Sequence, residues 1–222
     1  MIKTAPIVVF DFDLTLTRWD TADRFFRWLI QRDTWRRTAI LVALPVLGPL
    51  YLLPPLRKWP IRFAVWVATL GRTASDLSPL AEEHIRSLPM GWRSVFVPHA
   101  VERLQDHIEQ GHRVVIATGC LKPLAQALLR HAGLESVPVV ASTLRPFIGG
   151  LVRDQHCAGS NKVRMLAAHG FEPPWSSAYT DHRMDLPLLE SSAERNLVNP
   201  TPKCRAHVEQ ALAGKTNILI WQ

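Results

Sequence analysis

Two aspartates separated by one residue, Asp11 and Asp13, stand directly after the apolar run Ile7–Phe10. Carboxylates at the end of a buried segment are costly to take out of water unless a cation or a reaction uses them. Three further sets of residues occupy comparable places. Thr118 and Gly119 follow RVVIA (113–117) and offer a hydroxyl and backbone N–H groups of the kind that hold phosphate oxygens. Lys162 opens a helical stretch after Gly159, Ser160 and Asn161, and Asp181 and Asp185 follow SSAYT (176–180). Each set alone has an ordinary explanation: an aspartate caps a helix, Thr-Gly makes a turn, a lysine is solvated. Their shared position, after a strand-like run or at a helix start, points to one site for phosphate chemistry.

The elements that must position these residues are short strand-like runs at 7–10, 113–117, 137–141, 176–180 and 217–221. The first is continuously apolar, as in a strand buried on both faces. Helical patterns lie between and after them at 98–110, 121–131, 161–169, 185–190 and 202–213. This alternation predicts an α/β fold with a Rossmann-like parallel sheet covered on both faces, whose ligands sit at the carboxyl ends of the strands. Residues 18–95 break the rhythm with helical patterns, no good strand, and a composition shifted to Arg, Trp, Leu and Pro. They read as an α-helical insertion in a core made of 1–17 and 96–222. Residues 143–152 read as a small β-excursion turning at Gly149-Gly150.

The chain has 222 residues, is 47% hydrophobic and carries a formal charge of +7, which excludes a disordered or collagen-like chain. Three scattered cysteines, Cys120, Cys157 and Cys204, exclude a disulfide framework and suit a reducing compartment. Near the N-terminus a single lysine precedes a short apolar run that meets Asp11 and Asp13, so no signal peptide is expected and the catalytic part is expected in the cytoplasm. Nine basic against three acidic side chains fall between Arg18 and Arg62 and hold nearly all the excess charge. They imply an anionic partner. No nucleic acid is expected, because an uncharged run interrupts the basic residues and they form no continuous stripe.

That uncharged run, 38–56, would be about 28 Å long as a helix, close to a bilayer's hydrocarbon thickness. Pro45, Gly48, Pro49, Pro54 and Pro55 argue against one straight helix. If Asp11 and Asp181 share one aqueous site, the insertion crosses a membrane an even number of times or not at all. Residues 38–56 and 61–70 are therefore expected to form a broken, re-entrant helical hairpin touching a membrane shallowly, the alternative being core-facing helices of a soluble cap. Trp19, Trp28, Trp35, Trp59 and Trp66 fit the cap core and, being near arginines, also a headgroup interface.

The four sets, in this order, resemble the haloacid dehalogenase (HAD) superfamily of phosphohydrolases, and the insertion occupies the place of a helical cap in its phosphoserine-phosphatase-like members. The resemblance implies that Asp11 is the nucleophile and forms an aspartyl-phosphate, and that Asp13 is the general acid and base. It implies Mg2+ held by the Asp11 carboxylate, the Asp13 carbonyl and Asp181, with Asp185 at or beside the metal. Thr118 and the Gly119 amide would bind phosphate oxygens and Lys162 would neutralise charge in the transition state. An ionised carboxylate needs no base to attack, but its charge repels phosphate, so a hard divalent cation suits the site. Leu14 stands where many members have Gly, and His182 where Ser is frequent. Cys120 invites a nucleophile reading, yet no His is fixed beside it, and it is expected to be a small buried side chain; His156 and Cys157 lack zinc spacing. Whether Lys162 or Arg164 reaches the phosphate stays open.

In this superfamily the cap selects the substrate. A basic, Trp-containing, apolar insertion fits an anionic amphiphile, with Arg36, Arg37, Arg57 and Lys58 expected at headgroup level. The stretch RRTAILVALPVLGPLYLLPPLRKWPIRFAVWVATLG looks like that of the bacterial phosphatidylglycerophosphatase C branch. The expectation is a phospholipid headgroup phosphatase at the inner face of the cytoplasmic membrane. The alternatives are a soluble phosphatase of a small phosphomonoester such as phosphoserine and a non-catalytic membrane-associated scaffold.

Overall fold

The computed structural model describes residues 5–221; Lys3, the N-terminal lysine, lies outside them. The described strands are β1 (Ile7–Phe10), β2 (Arg113–Leu121), β3 (Val139–Ser142), β4 (Leu144–Phe147), β5 (Gly150–Arg153), β6 (Trp175–Thr180), β7 (Ser192–Val198) and β8 (Asn217–Leu219). Six form one parallel sheet in the order β3-β2-β1-β6-β7-β8. Chain order reverses at β1, where an open parallel sheet leaves a crevice beyond its carboxyl ends. Phe10 pairs with Ile116 on one side and Tyr179 on the other, so Asp11, Thr118 and Asp181 all emerge at that crevice.

The apolar run of β1 is explained by burial on both faces. Val8 and Phe10 pack with Ala100 and Leu104 of α5 (Pro98–Glu109) and Leu124 and Leu128 of α6 (Lys122–His131). Val9 faces a second cluster with Leu166 of α7 (Ser160–Ala168), Leu188 and Leu189 of α8 (Leu186–Glu190), and Val208 of α9 (Pro202–Ala211). The sequence reading missed β7. Its first residues are polar, and cross-strand bonds satisfy them: Ser177 Oγ donates to Glu194 Oε2 at 2.5 Å and Asn196 Nδ2 to the Ala178 carbonyl at 3.3 Å.

The chain leaves the core at Thr17 and returns at Phe96, where these two residues form an antiparallel bridge. Between them run α1 (Thr21–Arg32), α2 (Thr34–Leu52), α3 (Lys58–Thr69) and α4 (Leu77–Arg86). Phe25 and Leu29 of α1 and Ala81 and Ile85 of α4 join the core cluster of β1. Helices α2 and α3 pack side by side as a hairpin. Helix α2 stops at Leu52, ahead of Pro54 and Pro55, but contrary to expectation it runs unbroken through Pro45 and Pro49. The carbonyls that lose a donor, four residues earlier, belong to Leu41 and Pro45, both on exposed residues where water can replace the bond. Among the described residues, no helix is long and apolar enough to cross a membrane.

Arg36 is a second correction. It is not at a surface rim but buried: its guanidinium donates to Asp33 Oδ2 at 2.6 Å, to the Leu70 carbonyl at 2.7 Å and to the Val67 carbonyl. A cation there satisfies the unpaired carbonyls at the end of α3 and complements its dipole. The tryptophans divide as well. Trp19 and Trp28 pack against the core, while Trp35 and Trp59 are exposed. Trp66 Nε1 donates to the carbonyls of Phe147 (3.2 Å) and Ile148 (3.0 Å), fastening α3 to the β4–β5 hairpin, which turns at Ile148-Gly149 with both residues at positive φ.

Candidate functional site

Asp11 leaves β1 into the crevice and is buried. Its Oδ1 accepts the Phe12 N–H at 2.7 Å and lies 3.0 Å from Lys162 Nζ. Burial raises its carboxyl to about 6, against the lowering effect of Lys162. Lys162, 2% exposed, also donates to Asp185 Oδ2 at 2.5 Å, so one ammonium joins the ends of three distant chain segments. Burial alone would lower the lysine's pKa; the Asp11 and Asp185 charges outweigh it and hold the ammonium protonated well above its ordinary value.

Asp13 Oδ1 accepts the N–H of Thr21 at 2.8 Å and its hydroxyl at 2.6 Å. Its Oδ2 instead faces Thr118 Oγ1 at 3.4 Å. Burial raises this carboxyl to about 7, Thr21 opposing. Sequence reasoning missed Thr21. Asp20 caps α1 and so fixes Thr21 as its first residue, but nothing in the spacing brings that residue back onto Asp13. The backbone between them bends at Leu14, which has φ 60 and explains why glycine would be easier there.

Thr118 is fully buried at the end of β2, where a register shift before Leu121 turns the Gly119 backbone out of the ladder. A side chain at Gly119 would meet His156, since a Cβ there would lie 3.1 Å from His156 Cε1. Cys120 lies buried behind them, its sulfur 3.1 Å from Thr21 Oγ1. Burial pushes its thiol pKa well above the ordinary range, so it is no nucleophile. Arg164 is exposed and donates to Asn161 Oδ1 at 2.6 Å, whereas Lys162 is buried beside Asp11. His182 caps the turn before Asp185: its Nδ1 accepts the Met184 N–H at 3.1 Å.

Asp181 and Asp185 part company. Asp185 Oδ1 accepts the Gly159 N–H at 2.9 Å, and its Oδ2 serves both Lys162 and Thr180 Oγ1 (3.1 Å). Both oxygens of Asp185 thus accept hydrogen bonds within the protein, and one of them holds the lysine. Lys162 forms no pair with Asp181, whose carboxyl is raised to about 8 by burial and then by the Asp11 charge. A depression of about 320 Å³, lined also by Leu14, Arg18 and Thr201, opens the site to solvent at Asp181. Among the described residues no three His, Cys, Asp or Glu side chains form a preformed metal cage. Asp11 and Asp181 nevertheless repel one another, and two such carboxylates are hard-oxygen donors of the kind Mg2+ takes.

A family model described as haloacid dehalogenase-like hydrolase matches residues 8–190. Among solved structures, a Bordetella pertussis Tohama I protein of unknown function is 20% identical, with a TM-score of 0.73 over 97% of this chain and 99% of that one. A phospho-aspartyl intermediate analogue of phosphoserine phosphatase is 17% identical, with a TM-score of 0.58 over 98% and 94%. A phosphoserine phosphohydrolase-like protein from Francisella tularensis subsp. tularensis SCHU S4 is 15% identical, with a TM-score of 0.58 over 96% and 94%. At these identities the likeness is one of fold.

Proposed function

The chain belongs to the haloacid dehalogenase-like hydrolases, and we propose that it is a magnesium-dependent phosphomonoesterase working through an aspartyl-phosphate on Asp11. The observation that carries this reading is the ammonium of Lys162 between Asp11 and Asp185, beside an Asp13 that Thr21 holds with one oxygen directed at Thr118. A carboxylate oxygen of Asp11 attacks phosphorus. The bond from phosphorus to the alcohol breaks as the new one forms, and Asp13 gives its proton to the departing oxygen. Water then attacks the aspartyl-phosphate and passes a proton to Asp13, which releases phosphate and restores both aspartates. Asp13 carries this proton on Oδ2, since Thr21 occupies Oδ1 with two donors. The Thr118 hydroxyl and Gly119 amide hold phosphoryl oxygens, and Lys162 offsets their charge. Asp11, Asp181 and the Asp13 carbonyl would hold magnesium, which would supply the positive charge that lets an anion approach an anion.

The substrate is a phospholipid headgroup phosphate such as phosphatidylglycerol phosphate, taken at the cytoplasmic face of a membrane, with residues 18–95 as the selecting cap. The α2–α3 hairpin supports this reading. Val42, Val46 and Leu52 are 74%, 68% and 75% exposed, and Arg37, Arg57 and Lys58 are exposed on the same hairpin. Apolar side chains rimmed by cations and by Trp35 and Trp59 match an anionic lipid interface. The test is phosphate release, with magnesium, from phosphatidylglycerol phosphate, phosphatidic acid and phosphoserine, with and without detergent. Preference for a lipid is expected; hydrolysis of phosphoserine alone would make this a soluble-metabolite enzyme, and no hydrolysis of any ester would remove the enzymatic reading.

A further inference from the structure

Beyond Gly119 the crevice wall carries His156. Ser142 Oγ accepts the Cys157 N–H at 3.0 Å and lies 3.1 Å from His156 Nδ1. The hydroxyl has one hydrogen to give, and Nδ1 is the acceptor beside it among the described residues. In the tautomer that takes that hydrogen, the imidazole carries its own proton on Nε2. Burial, helped by the charges of Arg153 and Lys162, pushes the ring's pKa down to about 4, so it stays a neutral donor at neutral pH. Among the described residues Nε2 bonds to no protein atom and is not sealed from solvent.

The charge of Arg153, three residues earlier in the chain, acts on this ring. Arg153 ends β5 and is half-buried. The Gly71 N–H donates to the Gly149 carbonyl at 2.7 Å, and Gly150 sits against Trp66. Chain order in α3 thus runs opposite to β5, which brings Arg62, one turn before Trp66, towards Arg153. The two feel each other: burial lowers the Arg153 pKa, Asp20 partly offsets this, and the Arg62 charge lowers it further. Arg62 lies over the Trp59 ring at 5.9 Å, and among the described residues neither arginine forms an ion pair. Like charges gathered unpaired in a crevice are an arrangement that an anion relieves.

We propose that Arg153, the Nε2–H of His156 and Arg62 form a second anion subsite, which selects phosphomonoesters whose alcohol carries a further anionic group. The proposal rests on the phosphomonoesterase reading of the site. The second anion is an oxyanion a few bonds from the ester oxygen, as in the phosphodiester of a glycerophospholipid headgroup or the carboxylate of phosphoserine.

The experiment measures kcat/KM with magnesium for glycerol 1-phosphate, for deacylated phosphatidylglycerol phosphate and for phosphoserine, in the wild-type protein, Arg153→Gln, Arg62→Gln and Arg153→Lys. The wild type is expected to prefer a second-anion substrate over glycerol 1-phosphate. Each glutamine variant should cut that preference about tenfold, through KM, and Arg153→Lys should restore part of it. Which preference falls tells phosphodiester from carboxylate. An unchanged preference in both glutamine variants, with glycerol 1-phosphate still hydrolysed, overturns the subsite and leaves the phosphomonoesterase reading standing. A wild type inert on all three esters removes that reading and the subsite with it.

Discussion

Around Asp11 the charged side chains are buried and joined to one another, whereas on the α2–α3 hairpin apolar side chains stand in solvent with cations on the same helices. Lys162 is 2% exposed and bonded to two carboxylates; Leu52 is 75% exposed. The first arrangement is expensive and survives only if every partner is in place. The second is an unsatisfied surface on a rigid support, whose cost falls when something covers it. In the proposed function the chemistry is fixed in the sheet, and the choice of what reaches it lies with the helical insertion.

Breaking the buried side of this contrast has the largest expected effect. Asp11→Asn should lower phosphate release from a soluble chromogenic ester by at least about a thousandfold while circular dichroism is kept, since Asp11 is the proposed nucleophile. Near-normal turnover would transfer the nucleophile elsewhere. Lys162→Met leaves Asp11 and Asp185 facing each other without their cation, and should cost about 3–5 kcal/mol in denaturant unfolding. A loss below 1 kcal/mol, in the range of an ordinary exposed ion pair, would mean that the pairing is incidental.

A smaller effect sharpens the contrast through pH. The unfolded chain ionises its aspartates near the ordinary carboxylate range, but folding keeps Asp13 and Asp181 protonated up to about 7 and 8. Between pH 6.5 and 8.5 the folded protein therefore releases protons that the unfolded chain has already lost, and stability falls as pH rises. Below 6.5 the trend is opposed, because His84 and His156 are pushed down to about 4 by burial and resist the charge that the unfolded chain takes up. Thermal melting of metal-free protein should decline from pH 6.5 to 8.5, and magnesium should flatten the decline; a rise over that interval contradicts the raised carboxyls.

The smallest effect on folding belongs to the hairpin. Replacing Leu41, Val42, Val46 and Leu52 by serine should change stability by no more than about 0.5 kcal/mol each, as exposed positions do. It should nonetheless lower sedimentation with anionic vesicles and hydrolysis of lipid more than hydrolysis of a soluble ester. Equal losses on both substrates would make the hairpin a mere support for the insertion.

The same contrast explains what could be read from the sequence. Asp11, Thr118 and Asp181 were legible because a buried parallel strand is apolar throughout, and the first polar residue after it marks the crevice. Strand β7 was not, because Ser177 and Ala178 of the neighbouring strand take up the polarity of Glu194 and Asn196. The contacts of Thr21 and Asp185 join distant segments, which spacing does not encode. The prolines of α2 misled because the cost of a missing bond depends on exposure, and Arg36 because a long side chain can turn inward to cap a neighbouring helix.

The most direct test is acid quenching of the full chain during turnover of a labelled phosphomonoester with magnesium, followed by mass-spectrometric mapping of the phosphoryl group. The account predicts acid-stable, alkali-labile label on the peptide holding Asp11, absent from Asp11→Asn. Turnover with the label on another residue, or with no label on the protein under any quench condition that traps an acyl phosphate, would contradict it.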